Sequence, residues 1–235
     1  MITMEKKHHI DYLLEQIPNL LELSILDLGS GRGGFLIDIA CRRGRAVGLE
    51  INDAYINETL DNARKKNLQV KIIKGAAENL PFDNAIFDFV NFALVIEHVD
   101  DPNRAIKEIA RVLKIGGQAY MGLPNRYGFK DPHFHLYFVN WLPRFLCNHF
   151  ITLFGRHKDY NGSACRQNLA DMHYYTFNQI KEVLVKEGFE MTDIREGKIK
   201  NYFKNSFFPP PLIFLYRIHR FFFSDSFHLL LKKMR

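Results

Sequence analysis

Between residues 24 and 123, short apolar runs alternate with amphipathic stretches of helical period, and this rhythm restricts the fold more than any other feature. Apolar runs of a few residues that stop at turn residues suit buried parallel strands. A strand, a helix and a second strand make one right-handed crossover unit, and repeated units stack into a parallel sheet with helices on both faces. The pattern predicts strands over 24–28, 46–50, 69–74, 85–92 and 118–123, with helices over 32–43, 53–65 and 102–113. Asp53 reads as the N-cap of the second of these helices, and Pro102 suits the first turn of the third. A short amphipathic helix over 5–16, ended by Pro18, precedes the first strand.

After Pro124 the alternation fails. Residues 126–172 are rich in His, Phe, Asn and Pro, too long for a simple connection, and read as an insertion or lid on the acceptor side. Within it, apolar side chains recur at spacings of three and four from Phe134 to Phe154, as on a helix with one apolar face. Arg144, Arg156 and Lys158 add charge there. Helix and strand return over 176–186 and 189–195, with a capping box at Thr176 and Gln179. A weak seventh strand is expected within 197–205. The tail, 206–235, is basic and aromatic and predicts a helix after the Pro209–Pro211 run.

The segment ILDLGSGRGGF at 25–35 runs strand, glycine-rich turn, helix. Glycine lets backbone press against a ligand, and a helix N-terminus offers unpaired N–H groups to an anion. Glu50 ends the second strand, where a carboxylate can accept from both hydroxyls of a ribose. Gly29, Gly31 and Gly34 also fit the dinucleotide fingerprint G-x-G-x-x-G. Asp27 argues against a pyrophosphate at that turn, because its charge would repel one and would hold an ammonium group instead.

Five stretches in order carry a resemblance: ILDLGSGRGGF, VGLEIN, GAAENLPFDNAIFDFV, LVIEHVDDP and RVLKIGGQAYMGLPN, with HYYTFNQIKEVLVKEGFE a weaker sixth. In these the chain resembles the class I S-adenosylmethionine-dependent methyltransferases of the type 11 domain group. The resemblance implies one domain with a Rossmann-like α/β fold: a mostly parallel seven-stranded sheet, helices on both faces, a helical aromatic insertion after strand five and a C-terminal helical tail. It implies a cofactor core over 24–125, closing elements over 173–205, and S-adenosyl-L-methionine as cofactor. It also implies roles. Gly29, Ser30, Gly31 and Gly33 would line the methionine part, with Asp27 near its amino group. Glu50 would hold the ribose and Ile51 would cover the adenine. Ala77 and Glu78 would lie at the adenine edge, and Phe92 near the methionine. Ala76 stands where many relatives carry Asp, so that adenine contact falls to Glu78 or to backbone.

Methyl transfer from a sulfonium rests mainly on positioning, and a base is needed only for a hydroxyl or a protonated amine. Histidine is the natural candidate. His98 follows strand four, and His133 lies past strand five; these two are the expected catalytic residues. Asp131, His135, Tyr137 and His173 are expected on the substrate side. His133 and His135 would share a side of an extended chain, yet no third ligand follows at a familiar spacing, so no metal is expected.

Composition narrows the partners. Residues 1–125 hold 15 Lys/Arg and 17 Asp/Glu, whereas 126–235 hold 17 and 9; 24 of the 32 aromatic residues lie in the second part. A basic, aromatic half suits an anionic, amphipathic or membrane-bound partner; for a methyltransferase that fits a small or lipid-linked acceptor of glycan or quinone type, methylated on oxygen, with nitrogen the alternative. The stretch 207–235 suits either a membrane interface or a contact within the protein or a homodimer; a monomer is equally consistent. Nucleic acid is disfavoured because Asn91-Phe92-Ala93-Leu94 stands where a base-flipping Asn-Pro-Pro-Tyr motif would. A non-catalytic cofactor-binding protein would be expected to lose Glu50 or the glycines, and both are kept. Three scattered cysteines exclude a disulfide framework. The N-terminus lacks the apolar stretch of a signal peptide, and no run is long enough to span a membrane. A cytoplasmic protein, peripheral at the inner membrane face if the tail binds lipid, is the expectation.

Overall fold

A computed structural model of the chain describes residues 9–155, 168–203 and 209–235. Arg156 and Lys158 lie outside the described residues, as do residues 5–8 of the first expected helix. Seven strands form one sheet: β1 Ser24–Leu28, β2 Arg45–Glu50, β3 Lys71–Lys74, β4 Phe87–Ala93, β5 Leu113–Pro124, β6 Phe189–Asp193 and β7 Ser226–Lys233. Their order is β3-β2-β1-β4-β5-β7-β6. Strands β1 to β5 pair in parallel, while β7 runs antiparallel to both β5 and β6. Successive strands are added leftward from β1 to β3 and rightward from β4, so the switch in direction lies between β1 and β4. Ligands in open α/β sheets bind at the carboxyl ends of the strands beside such a switch.

Eight α-helices accompany the sheet among the described residues: α1 His9–Gln16, α2 Gly34–Cys41, α3 Asp53–Lys65, α4 Pro102–Val112, α5 Arg144–Leu153, α6 Phe177–Lys186, α7 Ile194–Tyr202 and α8 Pro209–Phe222. Helix α4 shows how the sequence sets these elements. Asp101 caps it by accepting from the Arg104 N–H, Pro102 occupies its first turn, and Ala105, Ile106, Ile109 and Val112 form one buried stripe. Each large side chain in that stripe contributes about 1.5–3 kcal/mol on burial. Leu26, Leu28, Val90, Phe92 and Met121 meet α4 and α6 in one core layer, and Ile25, Phe89 and Tyr120 meet α1 on the opposite face. The insertion has a small core of its own, with Phe134, Val139, Cys147, Ile151, Leu169, Met172 and Tyr174.

Several expectations need correction. The N-cap of α3 is Asn52, whose side chain accepts from the Ala54 N–H; Asp53 is the first helical residue. Strand β6 stops at Asp193, because that side chain turns to accept from the Arg195 and Glu196 N–H groups and starts α7. Of the residues expected to hold a seventh strand, 197–202 are therefore helical, and 204–205 lie outside the described residues. The real seventh strand is β7, inside what reads as a helical tail; Phe227, Leu229 and Leu231 alternate into the core. Within 134–154 only Arg144–Leu153 is α-helical.

Helix α8 is anchored by charge. Arg220 is buried and donates to Asp193 Oδ2 at 2.7 Å and Glu196 Oε2 at 3.1 Å, while its guanidinium lies 3.5 Å from the Phe177 ring centroid. Tyr216 donates to Asp193 at 3.0 Å, and Arg217 to Glu196 at 2.8 Å. The Arg217 guanidinium leads in holding the Glu196 carboxyl down at about 2. Asn125, just past β5, donates to the carbonyls of Arg220, Phe221 and Ser224 and so closes the carboxyl end of α8.

Candidate functional site

At the β1–β4 switch the end of β1 meets a tight turn. Gly29 and Gly31 both have positive φ, +69° and +53°. A Cβ at Gly29 would lie 2.5 Å from Val95 Cγ2, whereas one at Gly31 would meet no atom within 4 Å. The first glycine is thus required by packing, and the second faces open space. Gly33 caps α2 from the left-handed region, against Thr59. Ser30 donates to the Asp27 carbonyl at 2.8 Å.

Asp27 is buried at the floor of this turn. Its Oδ1 accepts from Asn91 Nδ2 at 2.7 Å, while Oδ2 has no hydrogen-bond partner among the described residues. Burial pushes its carboxyl up to about 6, against the hydrogen bond from Asn91. Asn91 in turn faces His9 Nε2 at 2.9 Å, and burial lowers the His9 imidazole. A buried acceptor without a donor costs free energy unless a ligand supplies one.

Glu50 closes the other wall. Its Oε2 accepts from the Gly31 N–H at 2.8 Å, and its Oε1 from the Ile51 and Asn52 N–H groups at 3.0 Å each. The carboxylate therefore ties the glycine turn to the end of β2 and keeps lone pairs for further donors. Ile51 is 65% exposed, an apolar side chain held at the mouth. Ala77 is buried, and Glu78 accepts from the Asp100 and Asp101 N–H groups, bracing the loop after β4. Phe92 departs from its expected place: its side chain is wholly buried in the core layer, since β4 turns Asn91 toward Asp27 and Phe92 to the other face. Leu94, which the sequence reading passed over, has a φ of +56° at the carboxyl end of β4. Backbone strain of that kind gathers at ligand sites.

Past β4 and β5 lies a second cluster. Glu97 is 0% exposed. Its Oε1 lies 3.1 Å from His133 Nε2 and 3.8 Å from His98 Nε2, and the two imidazole rings stand edge to face 5.1 Å apart. The sequence singled out both histidines and missed the buried carboxylate that joins them; its signal was a charge in a loop otherwise rich in apolar residues. The His173 N–H donates to the Glu97 carbonyl at 3.0 Å, so His173 braces this cluster through its backbone.

Asp131, expected on the substrate side, is turned inward. It is fully buried; Oδ1 accepts from the His133 and Phe134 N–H groups, and Oδ2 from the Tyr174 hydroxyl at 2.9 Å. Burial and the Asp131 charge push the Tyr174 phenol far up. This turn separates the histidine pair expected to share a side. His133 points inward, whereas His135 has a φ of +58° and is exposed. Tyr137 is also exposed, with its ring 5.4 Å from Phe129 and the Lys130 ammonium 5.6 Å above it. Phe129, Lys130, Tyr137, His219, Phe223 and Asp225 line an open hollow of about 580 Å³ between the insertion and the end of α8.

Residues 26–121 match the family model described as a methyltransferase domain. The chain is 40% identical over 117 residues to the ubiquinone/menaquinone biosynthesis C-methyltransferase UbiE of Rickettsia prowazekii, covering 46% of each chain. It is 38% identical over 111 residues to the biotin biosynthesis bifunctional protein BioHC of Cellvibrio japonicus, covering 46% of this chain and 21% of that one. The matched part thus spans less than half the length of these curated relatives. Among solved structures, the YcgJ protein of Bacillus subtilis shares the fold over 97% of this chain and all of that one, at 18% identity and a TM-score of 0.64. A methyltransferase structure from Methanosarcina mazei shares it over 93% and 97%, at 20% identity and a TM-score of 0.61. The glycine turn, the buried Asp27 and Glu50 at the end of β2 all lie within residues 26–121, the part of the chain that matches the methyltransferase domain model.

Proposed function

We propose that this chain transfers the methyl group of S-adenosylmethionine to a hydroxyl oxygen of a lipid-linked acceptor. The unsatisfied Oδ2 of Asp27 carries the donor half of this reading. It lies beside a glycine turn with open space at Gly31, and a buried carboxylate there suits the ammonium of an amino-acid cofactor. When bound, the cofactor supplies an activated methyl on a sulfonium. Glu50 accepts from the ribose, and Ile51 covers the base.

The titration of Asp27 gives this arrangement a pH dependence. Its carboxyl is raised to about 6, so it is charged above that pH and neutral below it. Affinity for S-adenosylhomocysteine should hold above about pH 7 and fall by up to about tenfold per unit below about pH 6. Calorimetry from about pH 7.5 to 5 measures this. An Asp27→Asn variant should bind more weakly and show a flat profile; a flat wild-type profile would remove Asp27 from the site.

On the acceptor side, Glu97, His98 and His133 draw the proton from the hydroxyl, and the insertion excludes water. The lipid-linked reading rests on the surface around the hollow. Helix α8 holds its polar face on the domain and leaves Phe214 and Leu215 64% and 59% exposed. Phe221 and Phe223 continue that apolar strip to Tyr127 and Phe129 of the insertion, with Lys130 among them. No helix among the described residues is long and apolar enough to cross a membrane, so such a surface would lie along one. The name of the Rickettsia relative supports a second reading, transfer to a ring carbon of a quinone precursor.

Both readings are tested together with labelled cofactor, purified chain and separate lipid and polar extracts of the host. Label in a lipid product, stable to base as an ether would be, is the expected result. Label on a ring carbon favours the second reading, and label confined to polar products overturns the lipid-linked acceptor. The surface itself is tested by flotation with anionic vesicles. Phe214→Ser with Leu215→Ser should lose binding, whereas a chain cut before α8 would also lack β7 and report nothing.

A further inference from the structure

We infer that Glu97, His98 and His133 form a binding site for a divalent transition-metal cation on the acceptor side of the cleft. For the cation's role this rests on the acceptor reading above; for its binding it stands alone. One ligand atom from each of the three residues lies within 4.8 Å of the other two. Glu97 Oε1 is 3.1 Å from His133 Nε2 and 3.8 Å from His98 Nε2. Metal–nitrogen and metal–oxygen bonds of about 2.0–2.2 Å set adjacent ligand atoms roughly 3.0–3.5 Å apart in tetrahedral or octahedral geometry. The side chains are therefore within about half an ångström of a coordinating arrangement along both edges that meet at Glu97.

The donor set is specific. Two imidazoles and one carboxylate serve zinc in hydrolases and iron(II) in oxygenases, in both cases with positions left open for a substrate or water. Glu97 is fully buried, and buried carboxylates are kept where they are paired or coordinate a metal. The backbone that carries two of the ligands is fixed: Asp131 Oδ1 accepts from the His133 N–H, the Tyr174 hydroxyl holds Asp131 Oδ2, and the His173 N–H donates to the Glu97 carbonyl. The His98 side chain keeps 21% exposure, so one side of the cluster is open.

A hydroxyl bound at that open side would lose its proton near neutral pH, as zinc-bound water does at about pH 7. In the transfer, a bond forms between the acceptor oxygen and the methyl carbon. The carbon–sulfur bond breaks with its electron pair left on sulfur; with the cation in place the histidines are ligands and not bases, so the hydroxyl proton passes to solvent instead of to an imidazole. No electron transfer is involved, so zinc(II), cobalt(II) and manganese(II) would all serve.

The full chain, stripped with a chelator and desalted, is titrated with Co²⁺ and followed by its visible absorption, then displaced with Zn²⁺. One Co²⁺ per chain is expected, with a rise in the thermal midpoint. His133→Ala and His98→Gln should each weaken binding by at least about tenfold, while His135→Ala should not. Thermal unfolding of each metal-free variant reports whether its fold is kept. The proposal is overturned if the wild type takes up no stoichiometric Co²⁺ or Zn²⁺, or if folded His98→Gln and His133→Ala bind as tightly as the wild type. Methyl transfer that depends on His133 but ignores chelation would sink the cation and leave the acceptor reading intact. Metal uptake without a methylated lipid would do the reverse.

Discussion

Replacing His133 with alanine is expected to lower kcat by about 10²- to 10⁴-fold and to leave S-adenosylhomocysteine affinity within about twofold. The two halves of the site are structurally separate, which is why the effects should separate. The residues proposed to hold the cofactor lie on β1, β2 and the turn between β1 and α2, and their hydrogen bonds run to one another and to Asn91. His133 hangs from the insertion and meets the core through Glu97. A Glu97→Gln variant keeps the volume and removes the charge, so it should share the loss in kcat. Full activity of His133→Ala on the true acceptor would remove this cluster from the reaction. Loss of cofactor binding by the same variant would show that the insertion shapes both halves.

Replacing Arg220 with alanine is expected to cost about 3–5 kcal/mol of stability. Removing one partner of a buried ion pair leaves the other charge buried without compensation. Here two carboxylates are left, Asp193 and Glu196, and the guanidinium face on Phe177 is lost as well. Glu196 keeps Arg217 and Lys200, so Asp193 bears most of the penalty. Asp193 also caps α7 and receives Tyr216, so three elements loosen together. The urea midpoint should fall while the slope with denaturant stays constant. A loss under about 1 kcal/mol would mean that water reaches Asp193 and replaces the arginine.

The geometry of the candidate donor half was legible in the sequence because its determinants are local. Strand, glycine turn and helix are consecutive, and Glu50 ends the next strand in order. The turn at Asp27–Gly33 and the acid at Glu50 could therefore be placed by counting, and Glu50 does reach the Gly31 N–H. The acceptor half was less legible because its contacts are long-range. Glu97 and His133 are 36 positions apart, and no spacing rule brings them together. The inference of an extended stretch put His135 beside His133, but Asp131 folds that stretch into a turn and swings His135 outward. The tail misled for a different reason. Alternate residues of β7 are apolar on both faces, with Leu230 packed on the α1 side and Leu229 and Leu231 on the other. The central run Leu229–Leu231 is covered on both sides, and so short an apolar run does not by its period distinguish strand from helix.

The position of β7 has a consequence for how the domain is assembled. It is the last strand in the sequence but not the last in the sheet; it lies between β5 and β6. Until β7 inserts, β5 has an open edge and β6 has no neighbour at all, so β6, α7 and the Arg220 anchor cannot be in place. Pairings of such long sequence separation form late and slow a folding reaction. The cofactor half, from β1 to β5, can collapse first on its own local units. A nascent or heat-stressed chain would then display the β5 edge as a template for other strands, the point at which this fold is most open to aggregation and to chaperone binding.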